Sequence, residues 1–80
     1  MMTLDILTPS GTLADSVSVS AVFLPGTAGE FEVLDHHAPI ISSLETGRIR
    51  YRAADGEKEV KISSGFVTVS DNHIRACVEQ

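Results

Sequence analysis

The clearest alternation of apolar and polar side chains in the chain runs from Ser16 to Leu24. Val17, Val19, Ala21 and Phe23 fall on one side, Ser16, Ser18 and Ser20 on the other. A period of two is the signature of a strand with one dry and one wet face. The same period recurs along the chain. Leu4 and Ile6 oppose Thr3 and Asp5, and Phe31 and Val33 oppose Glu30 and Glu32. Ile49, Tyr51 and Ala53 oppose Arg48, Arg50 and Arg52, while Val60 and Ile62 flank Lys61. Val67 and Val69 alternate with Phe66 and Thr68, and Ile74, Ala76 and Val78 with His73, Arg75 and Cys77. Nowhere do apolar residues recur at three and four positions over a helix's length, so no helix is expected.

Turn signals punctuate these runs: Pro9-Ser10-Gly11, Pro25-Gly26, Gly47, Asp55-Gly56, Ser64-Gly65 and Asp71-Asn72. Proline presets one backbone angle and glycine accepts positive φ, so each is a bend with a mechanism. The first predicts a hairpin partner from Thr12, and Asp55-Gly56 predicts a tight hairpin. Short strands at regular spacing make a β-sandwich or barrel. With 80 residues this is one domain, spanning 1–80, with a thin core.

Charge and composition exclude several functions. A net charge of −5 with only six Lys and Arg opposes nucleic-acid binding, which needs cations to neutralise phosphates. Half of those cations, Arg48, Arg50 and Arg52, lie on one strand face, where Glu57 and Glu59 are the expected partners. No apolar run is long enough to cross a bilayer, and Asp5 interrupts any signal-like start. The expected setting is therefore cytoplasmic, without membrane insertion. The single Cys77 cannot form an internal disulfide or a cysteine-based zinc site, and reads as a spare thiol opposite the inward face.

Motifs for catalysis are missing. Ser63 and Ser64 lack the G-x-S-x-G elbow, and no glycine-rich phosphate loop exists. Adjacent His36 and His37 point to opposite faces of an extended backbone and make poor co-ligands; only a meeting of His37 with His73 would revive a cupin-like metal site. Glu30 and Glu32 share a face, as a carboxylate pair for acid–base work requires, but so does any solvated strand. No catalytic residue, cofactor, metal or small-molecule ligand is expected.

What stands out is Gly29 to Pro39, GEFEVLDHHAP, which breaks the alternation with glycine, paired histidines and proline. It is followed by Ile40-Ile41, preceded by Leu24-Pro25-Gly26, and joined later by Gly47-Arg48-Ile49-Arg50 and Ser64-Gly65-Phe66-Val67-Thr68-Val69. With the opening Leu4-Asp5-Ile6-Leu7-Thr8-Pro9, this combination resembles the N-terminal domain of the epsilon subunit of bacterial F-type ATP synthase, end to end. The family pattern is roughly G-E-[FL]-G-I-L-P-G-H-A-P; the chain departs from it at Glu32, Asp35 and His36, where glycine, proline and glycine are usual.

The resemblance implies an all-β fold, a flattened β-sandwich of about ten short, mostly antiparallel strands, with no catalytic residues. It implies a rotor subunit of the central stalk, bound to the gamma subunit and touching the polar loops of the membrane c-ring, peripheral to the cytoplasmic face of the bacterial membrane. Carried over by motif, Glu30 and His37 face the c-ring loops, and Ala38, Ile40, Ile41 and Ser42 lie at the gamma contact. Family members commonly continue into two C-terminal helices that restrain ATP hydrolysis; the sequence stops at Gln80, so coupling without that restraint is the expectation. The rival is a small all-β carrier of the biotinyl or lipoyl type, which needs a modifiable lysine at a hairpin tip, whereas Lys58 and Lys61 fall within an expected strand.

Overall fold

The computed structural model describes residues 1–80: eight strands and no helix. They are β1 (Met2–Thr8), β2 (Gly11–Gly26), β3 (Gly29–Leu34), β4 (Ile40–Leu44), β5 (Gly47–Ala53), β6 (Gly56–Ile62), β7 (Ser64–Ser70) and β8 (His73–Glu79). The organising element is β2, sixteen residues long and shared by two layers. Its first half pairs with β1, which continues through β8 and β7 to β4. Its second half pairs with β3 on one side and β5 on the other, and β5 carries β6. All pairings are antiparallel except β1 with β8. The shortest extent, 18 Å against 27 and 25 Å, fits two sheets packed about 10 Å apart.

Inward side chains of both layers make one core of 17 buried residues, including Leu4, Ile6, Val22, Leu24, Ile49, Val67 and Ile74. The accessible surface is 4520 Å², close to the roughly 4,600 Å² that scaling gives a chain of this mass. Most inward faces are those the alternation predicts. Two expectations need correction. The strand count is eight rather than about ten, in part because the hairpin partner beginning near Thr12 and the Ser16–Leu24 strand are one continuous β2. The dry face of β2 also changes phase: its register against β5 shifts between Val19 and Ala21, so Val22 and Leu24 are buried while Phe23 turns outward. Phe23 there carries the Arg50 guanidinium 4.7 Å from its ring centre.

Further irregularities lie in the half of β2 that pairs with β1, on either side of Ile6. Between Leu4 and Ile6 of β1 the partner strand advances from Val17 to Ala14, one residue too many. The extra residue is absorbed as a bulge in which Ser16 takes φ +51°. Its N–H has left the ladder and donates instead to Asp5 Oδ1 at 2.7 Å. Asp5 is buried, and its other oxygen accepts from His73 Nε2 at 2.7 Å with Arg75 Nη2 at 3.5 Å. The Ser16 N–H first, then the His73 hydrogen bond, hold the Asp5 carboxyl below its ordinary value, against burial, which pushes it up.

The turns follow their chemistry. Asp71 and Asn72 both take positive φ, 50° and 60°, the type I′ geometry that favours these residues. At the β5–β6 hairpin the loop is Ala54-Asp55 rather than Asp55-Gly56, because Ala53 pairs with Gly56, which takes φ +124° as the strand begins. His36 sits at φ +63° in the turn after β3, and its N–H donates to Asn72 Oδ1 at 2.8 Å. This left-handed conformation suits glycine, and a histidine there is strained by about 1–2 kcal/mol.

Two measurements check these points. Because the folded carboxyl of Asp5 titrates below the unfolded one, its stabilisation is full above about pH 4 and is lost as pH falls through the folded value. Urea unfolding of the wild type and of Asp5→Ala should therefore differ by about 2–4 kcal/mol at pH 7, with the gap closing below about pH 4. His36→Gly should raise stability by about 0.5–1 kcal/mol, the relieved strain less the added unfolded-state entropy.

Candidate partner-binding surface

The register places the outward-pointing residues of the first layer in rows, some of them covered by their neighbours. One row runs Ile41, Thr68, Arg75, Asp5 and the next Ser43, Phe66, Cys77, Leu7. The adjacent isoleucines divide as a strand requires: Ile40 packs against the core and Ile41 is 85% exposed. Phe66 is 51% exposed, and an open cleft of about 310 Å³ lies between it and Leu7, Pro9 and Cys77. A second cleft of about 350 Å³ runs beside Ile40, Ile41 and Val69. This face offers apolar surface with few charges outside the Asp5 cluster.

The outer face of the second layer has the opposite character. Arg48 pairs with Glu59 at 3.5 Å, Arg50 with Glu30 at 3.7 Å and Glu57 at 3.9 Å, and Arg52 with Glu57 at 3.8 Å. Each of these half-exposed pairs stabilises by no more than about 0–1 kcal/mol. Together they neutralise the arginine row, as the alternation predicts, and leave no basic stripe.

The sequence-assigned contact residues are divided between the two ends of the sandwich. Glu30 follows Gly29 at the end that carries the turns at Pro9-Ser10 and Thr27-Ala28; Thr27 N–H reaches Ser43 O at 3.1 Å. His37 lies beyond the far end of β3, where Asp35–Pro39 meets the Asp71-Asn72 turn and the N-terminal amine, 3.2 Å from Asp35. From Glu30 to Leu34 at its far end β3 covers about 13 Å, and Asp35 and His36 follow before His37, so Glu30 and His37 do not form one site. His37 instead adjoins Ala38, Ile40, Ile41 and Ser42, with its Nδ1 2.8 Å from Ala38 O. Ser42 faces the core side, half-buried, with its hydroxyl donating to Ser43 O at 3.1 Å.

His73 turns to Asp5, and no three His, Cys, Asp or Glu side chains converge in the arrangement a metal ion needs. Lys58 and Lys61 both lie within β6, and Lys58 is paired with Asp55 at 3.2 Å, so no lysine occupies a hairpin tip. The Asp5–His73–Arg75 cluster escaped the sequence reading, which set Asp5 on the wet side of β1. No local signal marks it, because it depends on the parallel pairing of the first and last strands.

Across residues 1–80 the chain matches the family described as ATP synthase, Delta/Epsilon chain, beta-sandwich domain. It is 44% identical over 80 residues to an ATP synthase epsilon chain of Sulfurovum sp., covering 99% of this chain and 62% of that one. An ATP synthase epsilon chain of Desulfitobacterium hafniense is 42% identical over 72 residues, 90% of this chain and 54% of the relative. The chain thus spans little more than half the length of these curated relatives. Among solved structures, a chain of the Euglena gracilis mitochondrial ATP synthase, OSCP/F1/c-ring, superposes with a TM-score of 0.91 at 21% identity, over 99% of this chain and 51% of that one. A chain of the Tetrahymena thermophila central stalk and c-ring gives 0.82 at 15%, over 99% and 63%. At those identities the likeness is one of fold. With the sandwich, its register and a family match over every residue in agreement, the chain belongs to the delta/epsilon β-sandwich domain family of ATP synthase.

Proposed function

We propose that this chain is a non-catalytic rotor element of an F-type ATP synthase, joining the gamma subunit to the membrane c-ring and coupling proton translocation to ATP synthesis. It works at the cytoplasmic face of the bacterial membrane, peripheral to it. The observation that carries the reading is the contrast between the two faces: one closed by its own ion pairs, the other offering Ile41 and Phe66. Epsilon chains of 44% and 42% identity and neighbours from central-stalk assemblies give the reading its partners.

Torque has to pass through whatever holds the domain. An exposed pair from Glu30 to a c-ring loop supplies about 0.2–1 kcal/mol, enough to orient but not to hold. The hold is apolar, and a standard interface of about 800 Å² per partner is about a sixth of the 4520 Å² surface. We assign it to Ala38, Ile40, Ile41 and Ser42 with Phe66 beside them. Glu30, at the opposite end of β3, is assigned to the c-ring loops, and His37 goes with the gamma segment it adjoins rather than with Glu30.

Ile41→Asp should weaken binding to the cognate gamma subunit by about 30-fold or more, while unfolding stability shifts by less than about 0.5 kcal/mol, since the side chain is exposed. Glu30→Ala should change gamma binding less than about threefold. Unchanged affinity in both Ile41→Asp and Phe66→Asp would remove this face from the gamma contact. In membrane vesicles, loss of the chain should uncouple proton flow from synthesis.

A further inference from the structure

Four strand edges of the sandwich are open, and one of them is the first half of β2, which pairs only with β1. β3 pairs only with β2, β6 only with β5, and β4 pairs with β7 along its length but meets β2 only where Leu44 opposes Gly26. An open edge presents unpaired N–H and C=O groups, and monomeric proteins guard such edges with charge, proline or a covering segment. The edges of β3 and β6 are guarded by Glu30 and Glu32, and by Glu57, Lys58, Glu59 and Lys61, and that of β2 by the exposed Asp15 and the bulge at Ser16. β4, Ile-Ile-Ser-Ser-Leu, has no charge and no proline within it.

The hydrogen bonds fix which groups of β4 are open. Thr27 N–H donates to Ser43 O at 3.1 Å and Glu45 N–H to Pro25 O at 2.9 Å, so Ser43 turns its backbone away from β7. Residues two apart in a strand point their backbone groups the same way, so Ile41 also turns away from β7. The β2 chain reverses at Thr27-Ala28, before it can reach Ile41, and no turn or loop bond goes to Ile41. The Ile41 N–H and C=O and the Ser43 N–H are therefore left without a backbone partner, beside a side chain 85% exposed.

We propose that β4 is a strand-addition site: an extended segment of the gamma subunit pairs with the edge from Ile40 to Ser43 and extends the first layer by one strand. This rests on the functional reading above and adds the mode of contact. An uncharged edge suits an uncharged extended segment, with Ile41 as its apolar anchor and main-chain hydrogen bonds supplying register. The edge also borders the outward face that carries Ile41 and Phe66 in adjacent rows, so one partner segment covers both backbone and side chains.

The test is amide hydrogen exchange of the intact chain, free and bound to its cognate gamma subunit. Ile41 and Ser43 amides should exchange close to the unstructured rate in the free protein and slow by at least 100-fold in the complex. Alongside it, Ser43→Pro removes an outward N–H without touching the β7 ladder, with Ser43→Ala as the control for the hydroxyl that meets Thr27 Oγ1 at 2.8 Å. Ser43→Pro should weaken gamma binding at least 30-fold and Ser43→Ala less than threefold. Fast amides in a complex that Ile41→Asp still disrupts would overturn strand addition and leave the gamma reading intact. If neither Ile41→Asp nor Ser43→Pro affects binding, both fall. A free protein that is dimeric, and becomes monomeric as Ser43→Pro, would mean the edge takes a second copy of this chain, which also overturns the proposal.

Discussion

The sandwich depends on one hydrogen bond, from Ser16 N–H to the buried Asp5 carboxylate. A single 16-residue strand serves two layers, and in the half that pairs with β1 a bulge throws one N–H out of the ladder. An unsatisfied backbone donor there would cost about 1–3 kcal/mol. Asp5 accepts it and is in turn held by His73 and Arg75 from the last strand. Start, bulge and end of the chain are thus locked at one carboxylate, and the parallel β1–β8 pairing follows the same line.

From that lock follows the division of labour between the faces. The first layer, organised across β1, β8, β7 and β4, keeps its polar groups busy around Asp5 and leaves Ile41 and Phe66 outward. The second satisfies its arginines with its own glutamates. A partner gains little from a surface already neutralised and much from apolar area and open backbone groups. The glycine-to-proline stretch at 29–39 does not act as one loop on this view. Its two ends are carried to opposite ends of the sandwich, one beside each proposed partner.

Much of this was legible in the sequence because period two is a direct imprint of the pleat. The inward faces of β5, β7 and β8, the pairing of the arginine row with Glu57 and Glu59, and the exposure of one of Ile40 and Ile41 all follow from it. What escaped were features that depend on an odd residue or on distant pairing. The slip near Ser20 moved Phe23 outward and Val22 inward, and a bulge leaves no mark on composition. Asp5 looked like an ordinary wet-face acid because its side-chain partners are 68 and 70 positions away and its backbone partner, Ser16, turns toward it only through the bulge. The separation of Glu30 from His37 emerged only once β3 was known to run from Gly29 to Leu34 with the Asp35–Pro39 turn beyond it.

The central claim is that the first layer's outer face, and not the second's, meets the gamma subunit. Isoleucine δ1-methyl NMR of the chain titrated with that subunit tests it most directly, because Ile41 reports on one face and buried Ile49 and Ile62 lie under the other. The account predicts that the Ile41 methyl shifts or broadens while Ile49 and Ile62 stay within their free positions. An unmoved Ile41 with shifts confined to Ile49 and Ile62 would contradict it.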